Sequence, residues 1–115
     1  MVRMIEVEGK DRPFNFGSLV MSQFCDLKGK KIDEIAEVFQ NLTLSEMIKL
    51  THMAAKDGCR KQREEVDFTY EDVADWFDGN AKLYSKVMDF VTEALPKVFD
   101  LDEDEAKKTA VKKKN

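Results

Sequence analysis

The hydrophobic period of this chain changes at Gly17, and that change limits what it can fold into. Before Gly17, Ile5 and Val7 alternate with Glu6 and Glu8, and Phe14 and Phe16 flank Asn15. A period of two turns one side of a strand toward a core. Gly9-Lys10-Asp11 supplies turn chemistry between the two runs. Residues 2–8 and 13–16 are therefore expected to pair as an N-terminal β-hairpin turning at 9–11. Pro13 cannot donate to a ladder, which places the second strand at an edge or delays its pairing.

After Gly17 the apolar residues recur at helical spacing. Leu19, Val20, Phe24 and Leu27 form one stripe with Ser18 as N-cap, and Lys28-Gly29-Lys30 ends that helix. A short helix with Ile32, Ile35, Ala36 and Phe39 on one face is expected next. Thr43-Leu44-Ser45-Glu46 is a capping-box pattern, in which threonine and glutamate satisfy each other's terminal amides. The helix it opens is expected to run to about Asp57, with Gly58 just past its end. Thr69-Tyr70-Glu71-Asp72 repeats the grammar, and Tyr70, Val73, Ala74 and Phe77 follow before Gly79. The last helix starts near Asn80, with Tyr84, Val87, Met88, Val91, Leu95 and Val98 in register, and Pro96 is expected to end or kink it around Ala94. Arg60 to Asp67 is polar enough to read as a solvated loop. The fold class that results is α+β and mostly helical, a hairpin packed on four or five helices.

At 115 residues the chain has the length of one domain with a core of its own. Residues 1–100 are expected to form that domain and residues 101–115 a disordered charged tail. The tail has four acids and five lysines with almost no apolar residues, too little to offset its ordering entropy. A net charge of −4 disfavours general adhesion to phosphate backbones or anionic lipid. No apolar run exceeds three residues, so a membrane span is not expected. Cys25 and Cys59 stand 34 positions apart and the N-terminus lacks the apolar stretch of a signal peptide, so they read as reduced thiols of a cytoplasmic protein.

Candidate chemistry is sparse. His52 is the single histidine, without a cysteine or second histidine at ligand spacing. Cys25 lies on a core stripe, and Cys59 reads as a loop thiol whose pKa Arg60 and Lys61 would lower somewhat. Asp72, Asp75 and Asp78 recur every three residues and read as a solvated face. Asp100, Asp102 and Asp104 begin like a calcium loop, but Glu105 stands where glycine is needed and Val111 where the bidentate glutamate belongs. Two basic clusters, Lys56/Arg60/Lys61/Arg63 and Lys107/Lys108/Lys112/Lys113/Lys114, are interrupted or headed by acids, against a phosphate-binding face. No catalytic residue, cofactor or metal site is assigned. What stands out is an apolar arc wider than one core stripe requires. Met47, Leu50, Met53, Trp76, Leu83 and Phe90 lie beside the assigned stripes: they either cover the core generously or form an adaptable partner-binding patch, partly exposed in a monomer, that also favours homo-oligomers.

The order of parts resembles a known family. A hairpin closing with Phe14-Asn15-Phe16-Gly17 enters an amphipathic helix. The capped helix Thr43-Leu44-Ser45-Glu46-Met47-Ile48 follows, then Phe68-Thr69-Tyr70-Glu71-Asp72-Val73-Ala74-Asp75-Trp76-Phe77, then a final helix. Over residues 3–99 this is similar to the tail assembly chaperones of long-tailed bacteriophages and prophages. The resemblance implies a non-enzymatic protein without catalytic residues. Such a protein binds the tape measure protein in the bacterial cytoplasm, keeps it soluble and promotes tube polymerisation around it. The tail tube protein is then a further partner, and the chaperone is absent from the mature virion. The alternatives are a small DNA-binding or regulatory helical module and a structural tail or connector subunit. Deleting residues 101–115 is expected to leave the melting temperature within about two degrees of the intact chain, as paired thermal melts would show.

Overall fold

The computed structural model describes residues 2–98. The expected tail disorder, the Asp100/Asp102/Asp104 pattern and the second lysine cluster lie outside those residues. Strands β1 (Val2–Val7) and β2 (Lys10–Asn15) form an antiparallel hairpin. Helix α1 (Ser18–Lys28) follows, then a single 3-10 turn at Ile32–Glu34 that leads into α2 (Ile35–Val38). Helices α3 (Leu44–Gln62), α4 (Tyr70–Trp76) and α5 (Ala81–Val98) complete the fold. The architecture is the expected one, α+β and mostly helical.

The hairpin turns earlier than its sequence suggested. Glu8 and Gly9 are the two turn residues, at φ 52° and 80°, and Val7 faces Lys10 across them. Two positive φ values define a primed turn, whose twist matches that of the strands. Lys10 and Asp11 are therefore strand residues. Pro13 faces Met4, a position whose N–H points out of the hairpin, so the proline removes no ladder bond.

Both capping boxes form. Thr43 Oγ1 accepts from the Glu46 amide at 3.1 Å, and Glu46 returns the favour to the Thr43 amide at 2.9 Å. Thr69 and Asp72 repeat the exchange at 3.1 and 2.9 Å. Gly58, however, does not end α3. The helix continues to Gln62 and stops at Arg63, which takes a left-handed conformation at φ 57° while Glu64 N–H returns to the Cys59 carbonyl at 2.9 Å. The start of the expected 60–67 loop is thus the last turn of α3.

The physical reason lies across the core. A Cβ on Gly58 would fall within 3.0 Å of the Pro13 carbonyl and of Phe14 N. The glycine is used for close backbone approach to β2, not as a terminator. Beside it, the amide of Asn15 donates to buried Asp57 at 2.7 Å, and Arg60 Nε donates to the same carboxylate at 2.5 Å.

Aromatic rings fill the space around this joint. Phe16 meets Phe39 at 5.5 Å and Phe90 at 6.4 Å, both edge to face, and Phe24 stacks on Phe39 at 5.5 Å. Among the described side chains of α5, Leu83, Val87, Phe90, Val91 and Ala94 are buried, whereas Tyr84 is exposed and Met88 and Leu95 are only half-buried. At 100° per residue, the helix is rolled by about 60° from the stripe its spacing suggested. Phe90, the largest wholly apolar side chain on the wide arc, takes the inward position, and Tyr84 with its hydroxyl stays outside. Helix α1 is rolled likewise: Val20, Met21, Phe24 and Cys25 are buried, and Leu19 and Leu27 face outward. The 3-10 turn leaves Ile32 exposed while Ile35, Val38 and Phe39 go inside. Pro96 lies within α5, which does not end at Ala94. The bond it forfeits is the one to the Thr92 carbonyl, on a residue open to solvent.

Gly58→Ala tests the close approach. In an ordinary helix interior, Gly to Ala stabilises by up to about 1 kcal/mol. Here the clash is with backbone, so the variant is expected to be destabilised by about 3 kcal/mol, measured by chemical denaturation.

Candidate functional site

The residues expected to form a partner-binding patch belong to the core. Met47 and Leu50 are fully buried, Leu83 and Phe90 are 1% exposed, and Trp76 is 5% exposed. Only Met53 is half-buried, packed against the same core. The expectation of partial exposure is corrected for the other five. Each arc was wide enough to be read two ways, and packing turned the side with Leu83, Phe90 and Ala94 inward in α5 and the side with Met47 and Leu50 inward in α3. Trp76 was drawn in by its neighbours: its ring lies 5.1 Å from Phe68 and 6.4 Å from Phe14.

The other singled-out residues also find structural places. Cys59 lies inside α3 and is buried, not in a loop. Burial, then Glu64 and Asp67, push its thiol pKa up against the opposing pull of Arg12 and Lys10. The expected lowering is reversed, which makes Cys59 a poor nucleophile. Cys25 is raised in the same direction, by burial and then Asp26. His52 lies edge-on to Phe68 at 6.1 Å and Tyr70 at 5.6 Å, where α3 meets α4. Its pKa is lowered, first by desolvation and then by Lys56, with Glu71 opposing. Asp72, Asp75 and Asp78 are exposed, and no group of three or more potential ligands that could hold a metal ion occurs among the described residues. No described helix is long and apolar enough to cross a membrane.

Arg12 makes the most elaborate polar contact. Its guanidinium sits 4.8 Å over the Trp76 ring and 5.4 Å from the Phe68 ring. Asp67 accepts from Arg12 at 2.6 Å and from Lys10 at 2.9 Å. The pair ties the segment between α3 and α4 onto the hairpin, so its role is positional.

A different set of apolar side chains reaches the surface. Lys28, at the end of α1, forms an ion pair with Glu46 in the first turn of α3. That contact brings the end of α1 and the start of α3 together. Leu27 adjoins Lys28, Ile32 follows it by four residues, and Leu44 precedes Glu46 by two; these three side chains are 44%, 53% and 63% exposed. Leu19, also exposed, lies two turns back along α1. Spacing alone had assigned Leu19, Leu27 and Ile32 to the core. The sequence signal for this surface is the surplus of apolar residues over what a helix packed on one side needs.

No protein-family model matches the chain, and comparison with curated proteins and with solved structures finds no match either.

The Asp67 cluster gives a measurable pH signature. Its hydrogen bonds from Lys10 and then Arg12 hold the carboxyl pKa down to about 2, from 3.8. A depressed carboxylate stabilises the fold above its unfolded pKa and loses that contribution as pH falls through the folded value. The stability difference between the wild type and Asp67→Asn is expected to be constant above about pH 5 and to shrink as the pH falls toward 2. Denaturation midpoints measured across that range check it.

Proposed function

We propose that this chain is a non-enzymatic tail assembly chaperone of a long-tailed bacteriophage or prophage, which binds the tape measure protein during tail assembly. One observation carries the reading: the order of parts on which the resemblance rests is present in the fold. The hairpin closes with Phe14-Asn15-Phe16-Gly17 and enters α1; α3 opens on the Thr43 box, α4 on the Thr69 box, and α5 ends the described chain. The working surface in this reading is the exposed apolar set at the α1–α3 end: Leu19, Leu27, Ile32 and Leu44. A long helical partner offers apolar residues at helical spacing to such a surface. The protein acts in the bacterial cytoplasm, leaves before the virion is complete, and exchanges between self-associated and partner-bound forms.

Co-expression with the tape measure protein of the same phage or prophage tests this reading. The tape measure protein is expected to be soluble with the wild-type chain and to aggregate without it. The double variant Leu27→Ser/Leu44→Ser should fold normally, since both side chains are open to solvent, yet lose most of the rescue. Full rescue by that variant would move the binding surface elsewhere. A tape measure protein equally insoluble with and without the wild-type chain would reject the chaperone reading. Salt-dependent gel shifts of duplex DNA at low micromolar protein would favour a DNA-binding module instead.

A further inference from the structure

The hairpin has two outer edges, and the fold closes one of them. With Glu8-Gly9 as a two-residue turn, Val7 and Lys10 exchange the first ladder bonds, and the pattern alternates from there. Arg3 and Ile5 direct their backbone groups at β2, whereas Val2, Met4 and Glu6 direct theirs away from it. On β2 the outward groups belong to Asp11, Pro13 and Asn15. That edge is shut, because Pro13 has no N–H and its carbonyl abuts Gly58 of α3.

The edge of β1 is open. Met4 is 54% exposed and Glu6 is exposed. The outward backbone groups of Val2, Met4 and Glu6 have no backbone partner among the described residues. Helix α5 does touch β1, through Arg3, whose guanidinium lies 4.9 Å over Phe90 and pairs with Glu93. Arg3 shares its face with Ile5 and Val7, so α5 covers that face and leaves the edge free.

We propose that the outer edge of β1 pairs with β1 of a second copy of this chain, antiparallel about a two-fold axis, joining the two hairpins into a continuous four-stranded sheet. One register brings the exposed Met4 side chains together without setting like charges opposite. Centred on Met4, Val2 of each copy faces Glu6 of the other, Arg3 faces Ile5, and Met4 covers Met4. Registers centred on Arg3 or Glu6 set like charges directly opposite, which is destabilising. A register centred on Ile5 sets Met4 against Glu6 and leaves the methionine without an apolar partner. Both strands of a two-fold pair must present the same surface, and Val2–Glu6 does so about Met4. The contact is small, so the dimer is weak and exchanges readily. This inference rests on the hairpin alone and does not depend on the chaperone reading.

Sedimentation velocity from about 10 to about 500 μM, spanning the range expected for a weak pair, measures it. The wild type is expected to shift from monomer toward dimer as concentration rises. Met4→Lys and Met4→Glu each place like charges at the axis and should weaken dimerisation by at least about tenfold. An equimolar mixture of the two should restore it. Amide exchange adds a second readout: Met4 and Glu6 gain protection with concentration, while Ile5, already in the ladder, does not. Met4 is outside the core, so both charge variants should keep the wild-type circular dichroism. If one does not, the concentration dependence of the Met4 and Glu6 amides in the wild type decides alone. The proposal is overturned by a wild type that stays monomeric throughout, by a dimer indifferent to Met4→Lys in a folded chain, or by mixed variants that fail to pair. It is equally overturned if those amides become protected only when the tape measure protein is added, because the edge then belongs to that partner.

Discussion

The contact between Gly58 of α3 and the Pro13–Phe14 peptide of β2 is the constraint on which the other placements depend. It brings a helix and a strand together at backbone distance, which only a residue without a Cβ permits. Once the two are that close, Asn15 and Asp57 are taken out of water together, at 1% and 4% exposure. A buried carboxylate without partners would be costly, and the Asn15 amide and the Arg60 guanidinium supply them. The glycine and the aspartate are consecutive, so the steric fit and the polar lock are set by one turn of helix. A helix end at Asp57 would have put Gly58 outside the helix and lost the joint.

The rest of the core is organised outward from that joint. Phe14 projects from β2 toward Trp76, and Phe16 reaches Phe39 and Phe90, so the last residues of the hairpin touch α4, the end of α2 and α5. The polar contacts around it differ in weight. Ion pairs between exposed side chains, such as Lys10 with Asp67, contribute little because solvent screens them. Arg12 contributes more, because its guanidinium is largely covered and lies over the Trp76 and Phe68 rings as well as beside Asp67. It holds the α3–α4 segment against the hairpin and so fixes where α4 begins.

The same geometry sorts the two sides of the hairpin. Because α3 lies against β2 and α5 against the core face of β1, both strands are packed, yet only β2 loses its outer edge. Proteins commonly blunt an edge with proline, charge or a covering element. Here β2 has the proline and the cover, and β1 has Glu6 and an exposed methionine. The surface apolar residues at the α1–α3 end arise from a separate cause: α1 rolled to bury Met21 and Cys25, and Leu19 and Leu27 were left outside.

Local patterns were legible because they are encoded within a few residues. The change of period at Gly17 separated hairpin from helices, both capping boxes formed as read, and Gly29 ended α1 in a left-handed conformation. Each depends on side chains bonding backbone three residues away or on a single residue's φ. The positions of Met47, Leu50, Trp76, Leu83 and Phe90 were not legible in that way. Where the apolar arc of a helix is wider than its contact, spacing leaves the roll of the helix free, and the volume of the facing rings chooses it. Gly58 was ambiguous for a similar reason: glycine marks a helix end or a close approach, and only the strand packed against it distinguishes them. The sequence by itself thus determined the elements, the N-terminal caps of α3 and α4, and their order, while α1 took Gly17 rather than Ser18 as its N-cap. The tertiary structure decided which faces they bury, which apolar residues stay outside and which strand edge is open, because those depend on side chains distant in the chain competing for the same volume.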